Sequence, residues 1–348
     1  MISREELFKY KPFQLDKITK EKIFGDIITE LSLYHYENCN EYRKICDALN
    51  NKKPFIPVRL FKDFELKSVS SENIIKTMTS SGTSGQKVSK IFLDKETAAM
   101  QTKVLAAIMS DFTGGKRMPM LIIDTKAVLK DRNMFSARGA GILGFSMFGT
   151  DITYALDENM NLDIDTVQKF YEKHKDENIF IFGFTYMIWE FFYKKLLELN
   201  ITLPKNNGFI LHGGGWKKLI NQAVSNNEFK QSLAETAGFK RVYNYYGMVE
   251  QTGSIFMECE HGRFHTSIYS DINILNYRDF SINSIGEEGY IELMSVIPKS
   301  YPGHILLSED AGILLGEDDC PCGRLGKTFK IIGRIKKAEV RGCSDTFE

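Results

Sequence analysis

Short apolar runs alternate with amphipathic stretches of helical length between residues 61 and 253, and this alternation constrains the fold more than any other feature. In one such stretch, Ile164, Val167 and Phe170 share a helical face behind Asp163, an acid where helix N-termini favour one. Strands that alternate with helices are typical of a parallel sheet covered by helices, so an α/β fold is predicted. The apolar runs predicted as strands are 120–124, 178–182, 209–212 and 241–244.

The segments on either side of this core have different patterns. Ile23, Phe24, Ile27, Ile28 and Leu31 recur at helical spacing, which predicts a helical segment that packs on the core. Strand-like runs separated by glycines follow the core and predict a mostly β subdomain. The predicted order is a helical N-terminal segment, an α/β core, a mostly β subdomain and a hinge-like tail, at residues 1–60, 61–253, 254–332 and 333–348.

Composition narrows the class of protein. The 45 Lys+Arg balance 45 Asp+Glu, so no field of one sign indicates nucleic acid or an anionic membrane as a partner. The N-terminus lacks the apolar region of a signal peptide, and the most apolar stretch, residues 179–193, is too short to span a bilayer. We therefore expect a cytoplasmic protein without membrane insertion. The 6 cysteines then favour metal binding or reactive thiols over disulfides.

A run of small hydroxyl residues and glycines precedes Lys87 and is typical of phosphate binding. Without bulky side chains, its backbone N–H groups can converge on an anion, while Lys87 adds a positive charge. The spacing is not that of a Walker A loop, and a flexible Ser/Gly linker is the alternative. The candidate cofactor-binding residues of this loop are Ser80, Ser81, Gly82, Thr83, Ser84 and Gly85.

Two further motifs follow predicted strands, where open α/β sheets bind ligands. The first is a glycine run that would let a phosphate or a flat ring approach the backbone, with a tight turn as the alternative; it comprises Gly213, Gly214 and Gly215. His212 before it either hydrogen-bonds an acyl carboxylate or phosphate, or caps its own backbone. The second motif runs from Tyr246 to Glu250, whose carboxylate is either a Mg²⁺ ligand or a surface acid.

Four metal-ligating residues fall in two segments near the β subdomain. Cys259 and His265 lie in one segment, and Cys320 and Cys322 lie in the other. This set suits tetrahedral Zn²⁺ in a closed, structural site. His261 competes with His265 for the histidine position, and free buried thiols are the alternative.

Taken in order, these motifs resemble the adenylate-forming superfamily of acyl-CoA ligases, luciferases and nonribosomal adenylation domains. Residues 80–87 resemble the superfamily's phosphate loop, and residues 246–250 resemble its aromatic-Gly-x-x-Glu motif. Asp310 resembles its ribose-binding aspartate, and Arg334 resembles its hinge arginine. More narrowly, the chain resembles the phenylacetate-CoA ligase branch and the LuxE-like acyl-protein synthetases of the bacterial fatty acid reductase. The runs that carry this narrower resemblance are 56–62, 246–251, 300–304, 320–324 and 341–346.

The resemblance implies both a fold and a reaction. The fold is the large N-terminal domain of adenylate-forming enzymes, with layered α/β subdomains, a β subdomain and little of the small C-terminal domain. In the reaction, a carboxylic acid, expected to be a fatty acid with an aromatic acid as the alternative, combines with ATP to give acyl-AMP and pyrophosphate. The acyl group then passes to a cysteine, matched by Cys343, and on to a separate LuxC-like acyl reductase. Besides ATP, the resemblance implies Mg²⁺ and a structural Zn²⁺, since similar proteins of the phenylacetate-CoA ligase branch carry zinc.

The resemblance also assigns roles to residues. Lys87 stabilises charge on the α-phosphate together with Mg²⁺, which Glu250 supports. Cys343 is the nucleophile, with Arg341 lowering its pKa, unless it is only an unreactive thiol. Tyr246 stacks near adenine, and Asp310 and Arg334 hold the ribose. The residues thus assigned to the nucleotide, besides the phosphate loop and the glycine run, are Tyr246, Gly247, Met248, Asp310 and Arg334.

Some alternatives stay open at the level of sequence. Most superfamily members carry a catalytic lysine in a small domain beyond the hinge. Here either Lys336, Lys337 or Arg341 supplies the charge of that lysine, or adenylation is slow. Two other functions are alternatives. One is an acyl- or aryl-CoA ligase in which Cys343 takes no part in the reaction, and the other is a non-catalytic subunit that binds nucleotide or acyl chain. Aromatic and glycine residues at 135–141 and 182–184 either line an acyl pocket or belong to the core.

Overall fold

The computed structural model describes residues 3–80, 87–129, 137–216 and 221–335. Its α-helices are α1 Lys17–Asn38, α2 Asn40–Leu49, α3 Leu60–Asp63, α4 Lys95–Thr113, α5 Ala137–Ser146, α6 Ile164–Lys173, α7 Thr185–Met187, α8 Lys194–Glu198 and α9 Asn226–Thr236, and a π-helix, Ile188–Tyr193, joins α7 to α8. Its strands are β1 Ile56–Pro57, β2 Lys76–Thr79, β3 Lys90–Leu93, β4 Met118–Thr125, β5 Gly149–Leu156, β6 Phe180–Phe184, β7 Phe209–Gly213, β8 Val242–Tyr246, β9 Phe256–Glu258, β10 Phe264–His265, β11 Ser270–Leu275, β12 Glu288–Ser295, β13 Ile305–Glu317 and β14 Lys327–Arg334. No helix in these ranges is long and apolar enough to cross a membrane.

The chain divides into two compact units. The first unit comprises residues 1–114 and 247–339, and the second comprises residues 115–246 and 340–348. The boundaries predicted from the sequence, after residues 60, 253 and 332, lie at other positions. The first unit is thus built from two chain segments, with most of the second unit inserted between them.

The second unit is built on a parallel sheet in the order β5, β4, β6, β7, β8. Strands β4, β6 and β7 are buried along their whole length, as expected for continuous apolar runs covered on both faces. Helix α6 begins after Asp163, whose carboxylate accepts a hydrogen bond from the backbone N–H of Thr166. Its apolar face packs in a core that includes Val167 and Phe170. The predicted α/β pattern of this region is confirmed.

The first unit is built on a largely antiparallel sheet in the order β11, β12, β13, β14, β10, β9, to which β1 adds in parallel beside β13. Strands β2 and β3 form a separate hairpin. Helix α1 buries the apolar stripe predicted from the sequence, from Ile23 to Leu31. The same helix buries Lys20, whose Nζ lies 3.5 Å from the carboxylate of Asp271 on β11. This buried ion pair fixes α1 on the sheet.

Candidate functional site

The glycine loop, Gly213–Gly215, begins at the carboxyl end of β7. Because β6, β7 and β8 are parallel neighbours, Thr185, Gly213 and Tyr246 follow or end strands at one edge of the sheet. A Cβ atom at Gly213 would lie 2.3 Å from Cε1 of Tyr245, so only glycine lets this ring lie against the backbone. Gly214 has a φ of +74°, a conformation that favours glycine. The loop therefore has the position and the backbone geometry of a ligand-binding loop in a parallel sheet.

His212 lies directly before the glycine loop and is 2 % exposed. Its Nδ1 is 2.9 Å from the hydroxyl of Thr185, and its ring packs against Phe229. Burial lowers the pKa of His212 to about 3, so the ring is neutral. Its Nε2 has no hydrogen-bond partner in the part of the chain that the structure describes. A hydrogen bond from His212 to an acyl carboxylate or phosphate stays a prediction, and it requires local movement because the ring is buried.

The predicted nucleotide motif, Tyr246–Glu250, runs from the last residue of β8 into a short 3₁₀ helix, Val249–Gln251. Gln251 donates from Nε2 to the carbonyl oxygens of Leu293 and Gly303, at 3.1 and 2.9 Å. The hydroxyl of Tyr301 donates to the backbone carbonyl of Glu250 at 2.9 Å. The backbone that carries Glu250 is therefore fixed from several sides.

Gln251 and Tyr301 belong to the runs that carry the resemblance, but no role was predicted for them. Both are buried. Two features of the sequence could have indicated that these residues support the Glu250 backbone: the polar Gln251 follows Glu250 directly, and Tyr301 begins a Tyr-Pro-Gly run. Glu250 is also buried, at 2 % exposure, so it is not the surface acid that the sequence left open as an alternative.

The predicted phosphate loop connects β2 to β3. Its central residues, Ser81, Gly82, Thr83, Ser84 and Gly85, lie outside the described residues. At its base, Ser80 and Ser89 exchange two hydrogen bonds, at 3.1 and 2.9 Å, so the hairpin holds the two ends together. Lys87 is exposed, with its Nζ 3.3 Å from the carboxylate of Asp63. An exposed ion pair of this kind contributes about 0–1 kcal/mol, so a phosphate would readily displace Asp63.

Asp310 and Arg334, the predicted ribose-binding residues, face each other on β13 and β14. The Nε of Arg334 is 3.9 Å from the Asp310 carboxylate, and a second guanidinium nitrogen is 3.4 Å from Glu309. All three side chains are partly exposed. A carboxylate beside a guanidinium, both accessible, offers an acceptor and donors to a diol. The strand pairing brings together two residues that the resemblance assigns to one ligand group.

Cys343, the predicted acyl acceptor, lies outside the described residues, as do Lys336, Lys337 and Arg341. Among the residues predicted either to line an acyl pocket or to form core, Phe182 and Phe184 are buried and pack as core. Arg138 on α5 is also buried, in a bidentate ion pair with Asp124.

The four predicted metal ligands converge in the first unit. Their ligand atoms all lie within 4.8 Å of one another, and they are Cys259 Sγ, His265 Nε2, Cys320 Sγ and Cys322 Sγ. Cys259 directly follows β9, His265 is the last residue of β10, and these two strands pair. Cys320 and Cys322 lie in the turn between β13 and β14. Because β14 pairs with β10, this turn lies close to Cys259 and His265. The converging imidazole belongs to His265, not to His261.

The geometry of this cluster fits a tetrahedral metal ion. Cys259 Sγ and Cys320 Sγ are 3.8 Å apart, far beyond the ~2.05 Å of a disulfide. That distance is the edge of a tetrahedron with Zn–S bonds of about 2.3 Å. Cys322 Sγ lies 3.4 Å from His265 Nε2. Burial raises the pKa of Cys320 to about 12 and lowers that of His265 to about 4, so thiolates here would require a bound cation.

Groups around the cluster support the same arrangement. The backbone N–H groups of His261 and Arg324 donate to Cys259 Sγ and Cys322 Sγ, at 3.4 and 3.5 Å. The guanidinium of Arg324 bonds Asp111 at 2.7 Å, which ties the cysteine turn to α4. Donors of this kind stabilise thiolate ligands and orient them.

Several solved structures share this fold. An open conformation of 2-hydroxyisobutyryl-CoA ligase, in complex with 2-HIB-AMP and CoA, matches with a TM-score of 0.69 and 13 % identity, covering 94 % of this chain and 77 % of that chain. A long-chain-fatty-acid-CoA ligase from Archaeoglobus fulgidus matches with a TM-score of 0.50 and 14 % identity, covering 76 % of this chain and 52 % of that chain. The fold is therefore that of the large N-terminal domain of the adenylate-forming ligases.

The sequence comparisons define the group more closely. Two relatives named long-chain-fatty-acid–luciferin-component ligase, from Vibrio harveyi and Aliivibrio fischeri, are 23 % and 24 % identical over 354 residues, covering 97 % of this chain and 90 % and 91 % of theirs. The model of the family described as acyl-protein synthetase, LuxE, matches residues 2–348. The chain belongs to this family of ligases, and the resemblance stated from its motifs is confirmed.

Proposed function

We propose that this protein activates a long-chain fatty acid with ATP and loads the acyl group onto Cys343. In the first step a carboxylate oxygen attacks the α-phosphorus of ATP, the bond to the β-phosphate bridging oxygen breaks, and pyrophosphate leaves. In the second step the Cys343 thiolate attacks the acyl carbonyl, the bond to AMP breaks, and the thiol proton goes to solvent. The observation that carries the proposal is the family match over residues 2–348. The motifs that resemble the superfamily's nucleotide-binding motifs support it.

The chain's own groups would act chiefly on charge and position. The carboxylate substrate is already ionised, so the first step needs no general base. Lys87, released from Asp63, would neutralise charge that develops at the α-phosphate. A magnesium ion, when bound, would shield the phosphates, and the carboxylate of Glu250 supplies the hard oxygen ligand that it prefers. The facing pair of Asp310 and Arg334 would hold the ribose, with Tyr246 beside the base.

Exchange of labelled pyrophosphate into ATP tests the first step. We expect exchange that depends on a long-chain fatty acid and falls strongly in Lys87→Ala. Lys90→Ala, a change of an exposed lysine at the start of β3, is the matched control and should retain the wild-type rate. ATP binding without exchange, across fatty and aromatic acids and with a reductase present, would instead identify a non-catalytic subunit.

Intact-mass analysis tests the second step. After incubation with ATP and fatty acid, the wild type should gain one acyl mass that neutral hydroxylamine removes. Cys343→Ala should lose this adduct and keep the exchange activity, whereas Ser344→Ala should behave as the wild type. An adduct that persists in Cys343→Ala would contradict the assignment. Release of acyl-CoA when coenzyme A is added, unaffected by Cys343→Ala, would make the protein an acyl-CoA ligase.

The acyl thioester has a natural consumer in a LuxC-like acyl reductase of the same compartment, which we propose to be the cytoplasm. A thioester is a better hydride acceptor than a carboxylate, so loading the acid onto sulfur prepares it for reduction. Aldehyde formation with NADPH should require both proteins and fail with Cys343→Ala. Aldehyde formed at the wild-type rate by that variant would exclude Cys343 from the transfer.

We also propose that Cys259, His265, Cys320 and Cys322 hold a structural Zn²⁺. A closed four-ligand site supplies stability rather than chemistry, because it leaves no position open for substrate. Protein purified without added zinc should contain about one Zn²⁺ per chain. The Cys320→Ser/Cys322→Ser variant should lose it, while Cys39→Ser/Cys46→Ser, a change of two buried cysteines on and beside α2, should keep it. Metal-free wild-type protein of unchanged stability would refute the site.

A further inference from the structure

Thr185, which no sequence motif singles out, contacts the glycine loop through its hydroxyl. It is the first residue of α7, directly after β6, and it is buried. Its Oγ1 lies 3.1 Å from the carbonyl oxygen of Gly213, 2.9 Å from that of Gly214, and 2.9 Å from Nδ1 of His212. One side chain therefore holds two consecutive carbonyls of the loop and the histidine that precedes it.

The hydrogen-bonding capacity of these groups fixes their roles. Carbonyl oxygens only accept, so the single hydroxyl proton of Thr185 is directed at the carbonyls of Gly213 and Gly214. The hydroxyl oxygen is then free to accept from Nδ1–H of His212. The opposite tautomer would leave three acceptors competing for one proton. His212 thus orients the hydroxyl, and the hydroxyl orients the loop.

We propose that Thr185 is a positioning residue for adenylation, which keeps the carbonyl oxygens of the glycine loop turned away from the phosphate of the bound adenylate. A carbonyl oxygen repels a phosphate oxygen, whereas a backbone N–H attracts it. With two carbonyls held by Thr185, the loop presents its N–H groups to the anion. The inference rests on the proposed function, since it needs an adenylate beside this loop.

The protein provides a reporter of this loop that is independent of catalysis. Trp216 directly follows the glycines and packs at 5.6 Å from Trp189 and 6.1 Å from Phe229. His212 packs on the same Phe229 at 4.5 Å. The chain has 2 tryptophans, so both lie in this cluster. A loop that loses its hold on Thr185 should change tryptophan emission and its quenching by acrylamide.

The test compares Thr185→Val, which keeps the shape and removes the hydroxyl, with Thr185→Ser, which keeps the hydroxyl. In fatty-acid-dependent pyrophosphate exchange, Thr185→Val should lower kcat about 10-fold or more and change KM for the acid little, because a misplaced loop affects the transition state more than acid binding. Its tryptophan quenching should rise. Thr185→Ser should retain the wild-type quenching and a rate within about threefold of the wild type. Thr236→Val is the matched control, since among the described residues that buried hydroxyl bonds to a carbonyl of its own helix and not to the glycine loop.

Each other outcome also decides the question. Thr185→Val with wild-type rate and quenching would overturn the inference, and so would Thr185→Ser with the full defect, because the hydroxyl would then be irrelevant. If the wild type shows no exchange, the proposed function fails, and unchanged quenching in Thr185→Val would still overturn the loop contact. Should Thr185→Val not fold, Thr185→Ala gives the same comparison without an added apolar branch.

Discussion

The candidate ligand-binding loops of both units are held by side-chain hydrogen bonds to backbone carbonyls, from Thr185 in the second unit and from Gln251 and Tyr301 in the first. The glycine loop of the second unit has a further requirement. In the second unit, the glycine loop has its shape because side chains are missing, which lets the ring of Tyr245 lie against Gly213. In the first unit, the turn that carries Glu250 has its shape because the side chains of Gln251 and Tyr301 bond to backbone carbonyls. The glycine loop should therefore be sensitive to added volume as well as to loss of the Thr185 hydroxyl, and the Glu250 turn should be sensitive to lost polar groups.

The largest effect should come from Glu250, the residue of the first unit that is proposed to bind Mg²⁺. Glu250→Gln keeps the shape of Glu250 and removes its charge, so pyrophosphate exchange should fall about 100-fold, as expected for loss of one electrostatic group in an active site. Thermal unfolding should change little. Glu260→Gln, a half-exposed acid that bonds Arg324 in the same unit, is the control and should keep its exchange rate. An exchange rate in Glu250→Gln equal to that of the wild type would show that Glu250 takes no part in adenylation.

The next effect tests the second unit by volume. Gly213→Ala places a methyl group 2.3 Å from the Tyr245 ring and should reduce the free energy of unfolding by about 2 kcal/mol through overpacking. Gly215→Ala meets no heavy atom within 4 Å, so its stability should match or slightly exceed that of the wild type. Urea unfolding measures both. Equal stability of the two variants would contradict the steric account of the glycine loop.

A smaller effect tests the first unit by polarity. Tyr301→Phe removes the donor to the Glu250 carbonyl and should reduce the free energy of unfolding by about 1 kcal/mol, because a buried carbonyl loses its hydrogen bond. Tyr277→Phe removes a hydrogen bond between exposed groups and should have almost no effect. If the two substitutions are indistinguishable in urea unfolding, the turn does not depend on Tyr301.

The last effect, similar in size for each residue, is a pH dependence of stability that the buried histidines of both units should share. Burial lowers the pKa of His35 to about 3 and that of His304 well below its usual value in the first unit, and lowers the pKa of His212 to about 3 in the second. The unfolded histidines bind protons below about pH 6.5 and the folded ones do not, so stability is complete above that pH and is lost as the pH falls.

Between pH 7 and 5.5 each of these histidines should remove roughly 1 kcal/mol from the free energy of unfolding. His35→Gln, whatever its stability at pH 7, should lose roughly 1 kcal/mol less than the wild type over this interval. Urea unfolding at the two pH values provides the comparison. An unchanged pH dependence in His35→Gln would mean that His35 is not held neutral.

Much of the fold was predictable because it follows from periodicity. The buried stripe of α1, four of the five strands of the parallel sheet and the start of α6 at Asp163 follow from the spacing of apolar residues and one helix cap. The fifth strand, β5, was not predicted because much of it is exposed and it is not a continuous apolar run. The cluster of Cys259, His265, Cys320 and Cys322 was predictable as a set of residue types that can bind a metal. The choice of His265 over His261 was not, because it depends on the pairing of β10 with β9 and β14.

The support of the candidate sites could not be predicted from the sequence. Thr185 meets the glycine loop because β6 and β7 end side by side, and nothing near Thr185 in the chain indicates that contact. Tyr301 reaches Glu250 across 51 residues of sequence. The burial of His212 is likewise a property of packing against Phe229, not of the residues beside it in the chain.

The division of the first unit between two chain segments has a consequence for biosynthesis. Residues 115–246 leave the ribosome as one stretch and can begin to fold early, since most contacts of the parallel sheet form within it. The N-terminal helices and β1 emerge earlier still but lack their partner, because Ile56 pairs with Leu306. Nascent chains halted near residue 280 should therefore resist protease in the second unit and be cut in residues 17–57. Residues 17–57 are thus synthesised before the second unit but become native after it.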